Sequence, residues 1–463
     1  MSRFDKLVAL VIVGLIGTIL LTVALGDNVG VTVKRVAPLG TDASSASRIT
    51  MEFSEPMIRE SAETRFRTEP ALNGDFSWSG TTLIFQPSLP IPPGEQVRVI
   101  LESGAAAESG REVLAEYQYD FTVRTPRIAY MSPANGLANI WIVDPSDPSS
   151  AEQVTFSPSG IYDFSVSPDG TQIAFSENNS NTGTQDIKLL DLTTGALEQI
   201  TNCADAGCTN PVWRPDGNVI AYERVEYNTD LSGQGVGQSP TRVWTLDLTS
   251  RPVTTRPLFD ELQVLGHTPQ WDADGGRIAI YDPASGAILV RDFSDGSLLA
   301  VPTRAGNSGA LSPDGTMLVY PEVVISDDAS AHSYLRLANL VSNDQSYLSD
   351  PSLPVDDARA LWSPDGERLA VARRDESVTR GYQIYLVDPL TGEAQPVTSD
   401  PRYSNMFFWW DVTGRYLVVH RFPELDENMQ PNYTGLPEIW TLDTETLEMT
   451  QIAENAFLPR WIP

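Results

Sequence analysis

Few side chains in this sequence are of the kinds that carry covalent or metal chemistry. There are two cysteines and three histidines in 463 residues. Cys203 and Cys208 form a C-x4-C pair, too few thiolates for a structural zinc site. The spacing suits a loop disulfide in an oxidising compartment, stiffening its loop without doing redox chemistry. His267, His332 and His420 fall in separate segments, and neither a G-x-S-x-G turn nor a zinc protease motif occurs. Acyl transfer by a nucleophile beside a histidine therefore has no visible constellation. Carboxylates are abundant: 61 Asp plus Glu against 31 Lys plus Arg, a net charge of −30. A glycosidase needs two facing carboxylates, but no pair stands out among so many. The same charge repels polyphosphate and excludes nucleic acid as a partner.

The elements that hold these residues repeat. A turn recurs at Ser167-Pro168-Asp169-Gly170, Arg214-Pro215-Asp216-Gly217, Asp272-Ala273-Asp274-Gly275, Ser312-Pro313-Asp314-Gly315 and Ser363-Pro364-Asp365-Gly366, with a degraded copy at Asp411-Val412-Thr413-Gly414. Their third residues are 47, 58, 40, 51 and 48 apart, a period that marks a repeat architecture. Proline presets φ, Asp tolerates the third position and Gly takes the positive φ that reverses the chain. Three residues before each Asp position stands an apolar residue: Val166, Trp213, Trp271, Leu311, Trp362 and Trp410. This column reads as packing between repeats. A strand follows each turn, and a third strand ends in Asp at Asp191, Asp247, Asp388 and Asp443. With a short fourth strand, each repeat is an antiparallel propeller blade.

Arg127-Ile128-Ala129-Tyr130 has the second-strand pattern with no turn before it. The tail, Leu458 to Pro463, places Trp461 in the tryptophan column with no turn after it. The tail is therefore expected to supply the innermost strand of the blade begun at Arg127, which hides the edges of an open sheet. Six turns plus one split blade predict seven blades. The turn-and-strand units of residues 127–463 resemble the TolB-type, WD40-like (PD40) propeller repeats. That resemblance implies six blades as the alternative, with the Asp411 copy not counted, and a component of an envelope complex as one functional reading.

In a four-stranded meander the Asp-Gly turns share one face, and the second-to-third and blade-to-blade loops share the other. Three long insertions lie on that second face: Glu226 to Pro240, Pro321 to Ser333, and Phe422 to Pro437. They hold eight acids (Glu226, Asp230, Glu322, Asp327, Asp328, Glu424, Asp426, Glu427) and no Lys or Arg. They read either as solvated loops or as a surface for a cationic partner or metal ions. Arg373, Arg374 and Arg380 are expected to interrupt this acidic field from a corresponding loop. One Asp per turn is too few for calcium, so no cofactor is expected, with Ca2+ the one alternative. The column six before the Asp position reads Asp163, Asn210, Thr268, Ser308 and Arg359, then Phe407 and Leu458. It should sit at the channel mouth, binding a small ligand or peptide end, or channel water.

Ahead of the repeats, residues 27–125 read as short alternating strands broken by turns, a β-sandwich pattern. Phe53-Ser54-Glu55-Pro56-Met57, Gly74-Asp75-Phe76-Ser77-Trp78, Leu83-Ile84-Phe85-Gln86-Pro87, Pro93-Gly94-Glu95 and Phe121-Thr122-Val123 resemble the bacterial Ig-like domain of the surface-layer (SbsA) type. The resemblance implies a spacer or adhesion module, with Trp78 in the inter-sheet core. Before it, Leu7 to Leu25 is 19 residues without a charge, behind Arg3 and Lys6. As a helix it would span roughly 28 Å, a bilayer core, with its N-terminus in the cytoplasm. A signal peptide cleaved near Ala24-Leu25-Gly26 is the alternative.

The sequence thus predicts an all-β chain: an N-terminal transmembrane anchor (1–26), an Ig-like β-sandwich (27–125) and a β-propeller (126–463). The expected localisation is the cell membrane, single-pass, with the C-terminal domains extracytoplasmic. The expected function is non-enzymatic binding or scaffolding toward an envelope protein or glycan. The alternative is a carbohydrate-active enzyme, a glycosidase or lyase.

Overall fold

The computed structural model describes residues 12–18, 30–227, 229–230, 236–325, 331–375 and 377–463. The chain divides into two compact units, Met1–Thr125 and Pro126–Pro463.

The first unit holds two four-stranded sheets. One orders Val33–Ala37, Ile49–Phe53, Thr82–Pro87 and Gly74–Ser79; the other orders Gly40–Ala43, Tyr117–Val123, Gln96–Leu101 and Phe66–Glu69. Strand alternation turns Ile49, Met51, Phe53, Leu83 and Phe85 inward from the first sheet. Val97, Val99, Leu101, Phe121 and Val123 meet them from the second, forming one core. A one-turn helix, Arg59–Glu63, has no periodicity long enough to announce it; it buries Ala62. Its Glu63 accepts the indole N–H of Trp78 at 2.7 Å. Trp78 is therefore half-buried against the core, near Phe53, with its polar end held outside.

The membrane-spanning helix expected over Leu7–Leu25, and the single-pass cell-membrane localisation drawn from it, are corrected. Among the described residues no helix is long and apolar enough to cross a membrane. Within that stretch the described helix covers only residues 12–18. The rest of the stretch lies outside the described residues.

The second unit is all β-sheet among its described residues. Its innermost strands are Ile161–Val166, Ala206–Trp213, His267–Trp271, Ala310–Leu311, Val355–Trp362, Tyr403–Trp410 and Phe457–Ile462. Each of the first six begins an antiparallel meander of four strands. The last pairs instead with Arg127–Ser132, which continues outward to Asn139–Asp144 and Asp147–Gln153. Each innermost strand touches the next in chain order, and Phe457–Ile462 touches both Tyr403–Trp410 and Ile161–Val166. The sheets therefore stand in a closed, propeller-like ring.

Two recurring devices make the sheets. The first is the Asp-Gly turn, in which Asp is an active acceptor. Asp169, Asp216, Asp274, Asp314 and Asp365 each accept the N–H two residues on, at 2.7 to 3.1 Å. The first turn residue matters as much: the Ser167, Ser312 and Ser363 hydroxyls and the Asp272 carboxylate accept the N–H five residues on at 2.9 to 3.0 Å. Asp411 does the same for Tyr416 at 2.9 Å, so the degraded copy closes by the same chemistry. The second device has no counterpart in the sequence reading. A Thr or Ser just past the fourth strand (Thr155, Thr201, Ser349, Thr398) accepts the N–H of Ile140, Ile187, Leu335 or Ile384 on the third strand. It ties the outer corner of these four sheets where the ladder ends.

The tryptophan column joins neighbouring sheets by hydrogen bonds as well as by packing. Trp362, Trp410 and Trp461 donate their indole N–H to the carbonyls of Ala310, Leu361 and Trp409, each on the preceding innermost strand. Deleting Leu458–Pro463 strips the ladder from Arg127–Ser132, removes the Trp461 bond and exposes the core around fully buried Ile462. The expected loss is on the order of 5 kcal/mol or more, with loss of a single cooperative transition on thermal unfolding.

Candidate functional site

The polar column occupies the innermost strands where their pairing slips. The ladder shifts register between Ile161 and Asp163, Thr209 and Val212, His267 and Gln270, Asp357 and Arg359, Ser404 and Phe407, and Phe457 and Arg460. Asn210, Thr268 and Leu458 take positive φ of 51°, 52° and 53° there. Just before the remaining strand, Ala310–Leu311, Gly309 has φ 66°, and a Cβ at that glycine would meet Val319 O at 2.3 Å. A bulge re-aims the side chains around it. Here it turns a column of strand residues toward the centre of the ring.

These residues form a linked circuit. The Asn210 N–H donates to Asp163 Oδ2 at 2.6 Å, and its Nδ2 to Glu223 Oε1 at 2.8 Å. The same Glu223 oxygen accepts the Thr268 N–H at 2.7 Å, and Thr268 Oγ1 accepts the Ser308 N–H at 3.2 Å. Across the ring, the Arg359 guanidinium lies 5.9 Å from the Phe407 ring and 5.0 Å from Trp409. Arg460 stacks on the same Trp409 at 3.7 Å. Glu223 and Arg460 were not selected from the sequence. Their signal was a charge set inside an apolar strand, in Ile220-Ala221-Tyr222-Glu223 and Leu458-Pro459-Arg460-Trp461.

Burial dominates the electrostatics. It pushes the Asp163 carboxyl up to about 6; neighbouring Glu223 adds to the rise and Arg460 opposes it. It lowers Arg359 to about 10, and it lowers Arg460 to about 9 with repulsion from Arg359 contributing. Both arginines stay charged at neutral pH. His420, whose ring stacks on Phe407, is lowered by burial to about 4 and is neutral.

The other sequence candidates do not join this cluster. Cys203 and Cys208 are bonded to each other, fully buried and packed with Trp213, Ile220 and Tyr222. The Cys203 N–H donates to Asp186 Oδ1 at 2.7 Å. Among the acidic-loop residues, Glu226 pairs with Arg224 at 2.6 Å. Asp426 accepts the N–H groups of Asn428 and Gln430 and so folds its own loop. Glu424 is half-buried and Glu427 exposed. Asp327 and Asp328 lie outside the described residues, as does the side chain of Asp230. The expectation that Arg373 and Arg374 interrupt the acidic field from a loop is corrected. Both belong to the strand Leu369–Asp375 and pair with buried Asp357 and Asp356. Arg380 is exposed.

No family model matches this chain, and no curated protein matches it. Solved structures do. A puromycin-hydrolyzing peptidase from Mycobacterium tuberculosis is similar at TM-score 0.50 and 12% identity, over 90% of this chain and 57% of that one. TolB from Acinetobacter baumannii is similar at TM-score 0.43 and 16% identity, over 86% and 83%. The β-propeller domain of the Trilobed protease from Pyrococcus furiosus is similar at TM-score 0.46 and 17% identity, over 78% and 93%. At such identities the likeness concerns the fold alone.

Asp163 holds its proton more tightly folded than unfolded. Its contribution to stability is fully present below about pH 4 and is lost as pH rises through about 6. Asp163→Asn keeps an acceptor for the Asn210 N–H. It should raise stability by on the order of 2 kcal/mol at pH 8, with the gain vanishing below pH 4 in denaturant titrations. Replacing Cys203 and Cys208 together by Ser should lower stability by about 2 kcal/mol in the same assay, the constraint a short closed loop places on the unfolded chain.

Proposed function

We propose that residues 126–463 are a seven-bladed β-propeller acting as a non-enzymatic binding module for a protein partner. We propose equally that residues 27–125 are an Ig-like β-sandwich serving as its spacer. One observation carries the binding reading: the loop 424–437 exposes apolar side chains beside acids. In the loop 424–437, Met429, Tyr433 and Leu436 are exposed around Glu424 and Glu427; Tyr433 is 93% exposed. Val236, Ile325 and Val378 are exposed on or beside the second-to-third loops of other blades. An aromatic anchor rimmed by charge is the usual composition of a protein contact. Val341 and Leu390 are exposed on the opposite face, but their tight turns are pinned by Asn339 and Asp388, which leaves little freedom to mould to a partner.

The acids favour a partner with a cationic docking surface, with association that weakens as salt rises. The second reading, a carbohydrate-active enzyme, rests on Asp163 and Glu223, two carboxylates held by one asparagine. It requires turnover that Glu223→Gln abolishes.

The test is cross-linking of the purified chain to candidate partners, with Met429→Ser/Tyr433→Ser and Leu390→Ser variants in parallel. The loop-face double variant should lose the partner by about tenfold or more, and Leu390→Ser should retain it. Equal capture by all three, or glycan turnover by the wild type, would overturn the reading.

A further inference from the structure

Several arginines in this unit are matched with carboxylates: Arg277 with Asp292, Arg373 with Asp357, Arg402 with Asp400, Arg415 with Asp443. Arg359 and Arg460, which share the centre of the ring, are not. Among the described residues neither makes an ion pair. The Arg359 Nε is buried without a hydrogen-bond partner. The hydrogen bond that Arg460 donates goes to the Pro459 carbonyl at 2.9 Å. A guanidinium has five N–H donors and does not shed its charge near neutral pH. Aromatic faces satisfy its charge in part but none of its donors. Two such groups set against one Trp409 ring, in a protein of net charge −30, leave a local demand for an anion.

The groups around them do not meet that demand. Asp163 lies in the field of Arg460, but it makes no ion pair with it: Oδ2 accepts the Asn210 N–H, and Oδ1 is buried without a hydrogen-bond partner. Glu223 turns Oε1 to both Asn210 and Thr268 and makes no ion pair with either arginine. His420 is neutral. Phe407 is 42% exposed and marks a way in beside Arg359.

We infer that the centre of the ring is an anion site in which Arg359 and Arg460 clamp a carboxylate group against Trp409. A planar, singly charged carboxylate fits the guanidinium fork and the flat aromatic walls. A phosphate brings more negative charge toward Asp163 and Glu223. The group is supplied by a small organic acid or by the carboxyl terminus of a peptide. The inference goes beyond the loop-face reading and stands if that reading fails.

Calorimetric titration of the full chain tests it. The probes are succinate, and a short peptide prepared with a free and with an amidated C-terminus, against sodium chloride at matched ionic strength. Saturable binding of succinate or of the free-acid peptide is expected. Arg359→Met and Arg460→Met should each weaken it by about tenfold or more. Binding of the free-acid peptide without succinate assigns the carboxylate to a chain end; binding of both assigns it to the carboxylate group itself. In carboxylate-free buffer Arg359→Met should raise the unfolding temperature, because it removes an unpaired buried charge, and added ligand should close the gap. No saturable heat, equal binding by chloride, unchanged affinity in both variants, or a large fall in the unfolding temperature of Arg359→Met would overturn the inference.

Discussion

Arg127–Ser132 is a strand whose inner edge has no partner for more than three hundred residues. Its backbone donors and acceptors are satisfied when Phe457–Ile462 arrives and pairs with it. The closed ring presumes that step, because each innermost strand touches its neighbours on both sides. An open row of sheets would leave two terminal faces with their apolar inner surfaces in water. Closure covers both, and Trp461 fastens it by donating to the Trp409 carbonyl. The same bond, made by Trp362 and Trp410 to their preceding strands, shows the closing contact to be one more copy of a repeated joint.

Closure also creates the unusual electrostatics at the centre. Arg460 sits on the closing strand and Asp163 on the first strand of the next sheet. Arg359 and Trp409 lie on the strands that come just before the closing one. None of these four is near another in sequence. The ring gathers them into a space where burial raises an acid and lowers two bases. The bulges on the innermost strands are what turn these side chains inward, at the cost of left-handed backbone at Asn210, Thr268 and Leu458.

The abundant acids divide into two populations. Many are structural: the turn aspartates and the strand-end aspartates accept backbone N–H groups. These bonds hold Asp191 and Asp388 below the usual carboxylate range, whereas Asp247 is lowered first by the Thr249 hydroxyl and Asp443 first by the Arg415 guanidinium. Others, such as Glu427, face solvent. Net charge alone does not separate them, because an Asx turn and a docking surface draw on the same residue type.

Much of the second unit was legible from local chemistry. A Pro-Asp-Gly turn, an apolar column and alternating strands are each written in a few adjacent residues, and a repeat states them several times. The tail's place in the ring was readable for the same reason, since Trp461 matched a column already established. Local pattern failed where it stood for something longer: the apolar stretch at Leu7–Leu25 suggested a spanning helix, and among the described residues no helix is long and apolar enough to cross a membrane. It failed again at Arg373 and Arg374, whose buried partners Asp357 and Asp356 sit across a strand pair. The sequence by itself determined the strands, the turns and the period, because hydrogen bonding and side-chain alternation act between near neighbours. Only the tertiary structure decided which charges share the centre of the ring, because that depends on closure and on bulges that bring residues from distant strands to one axis.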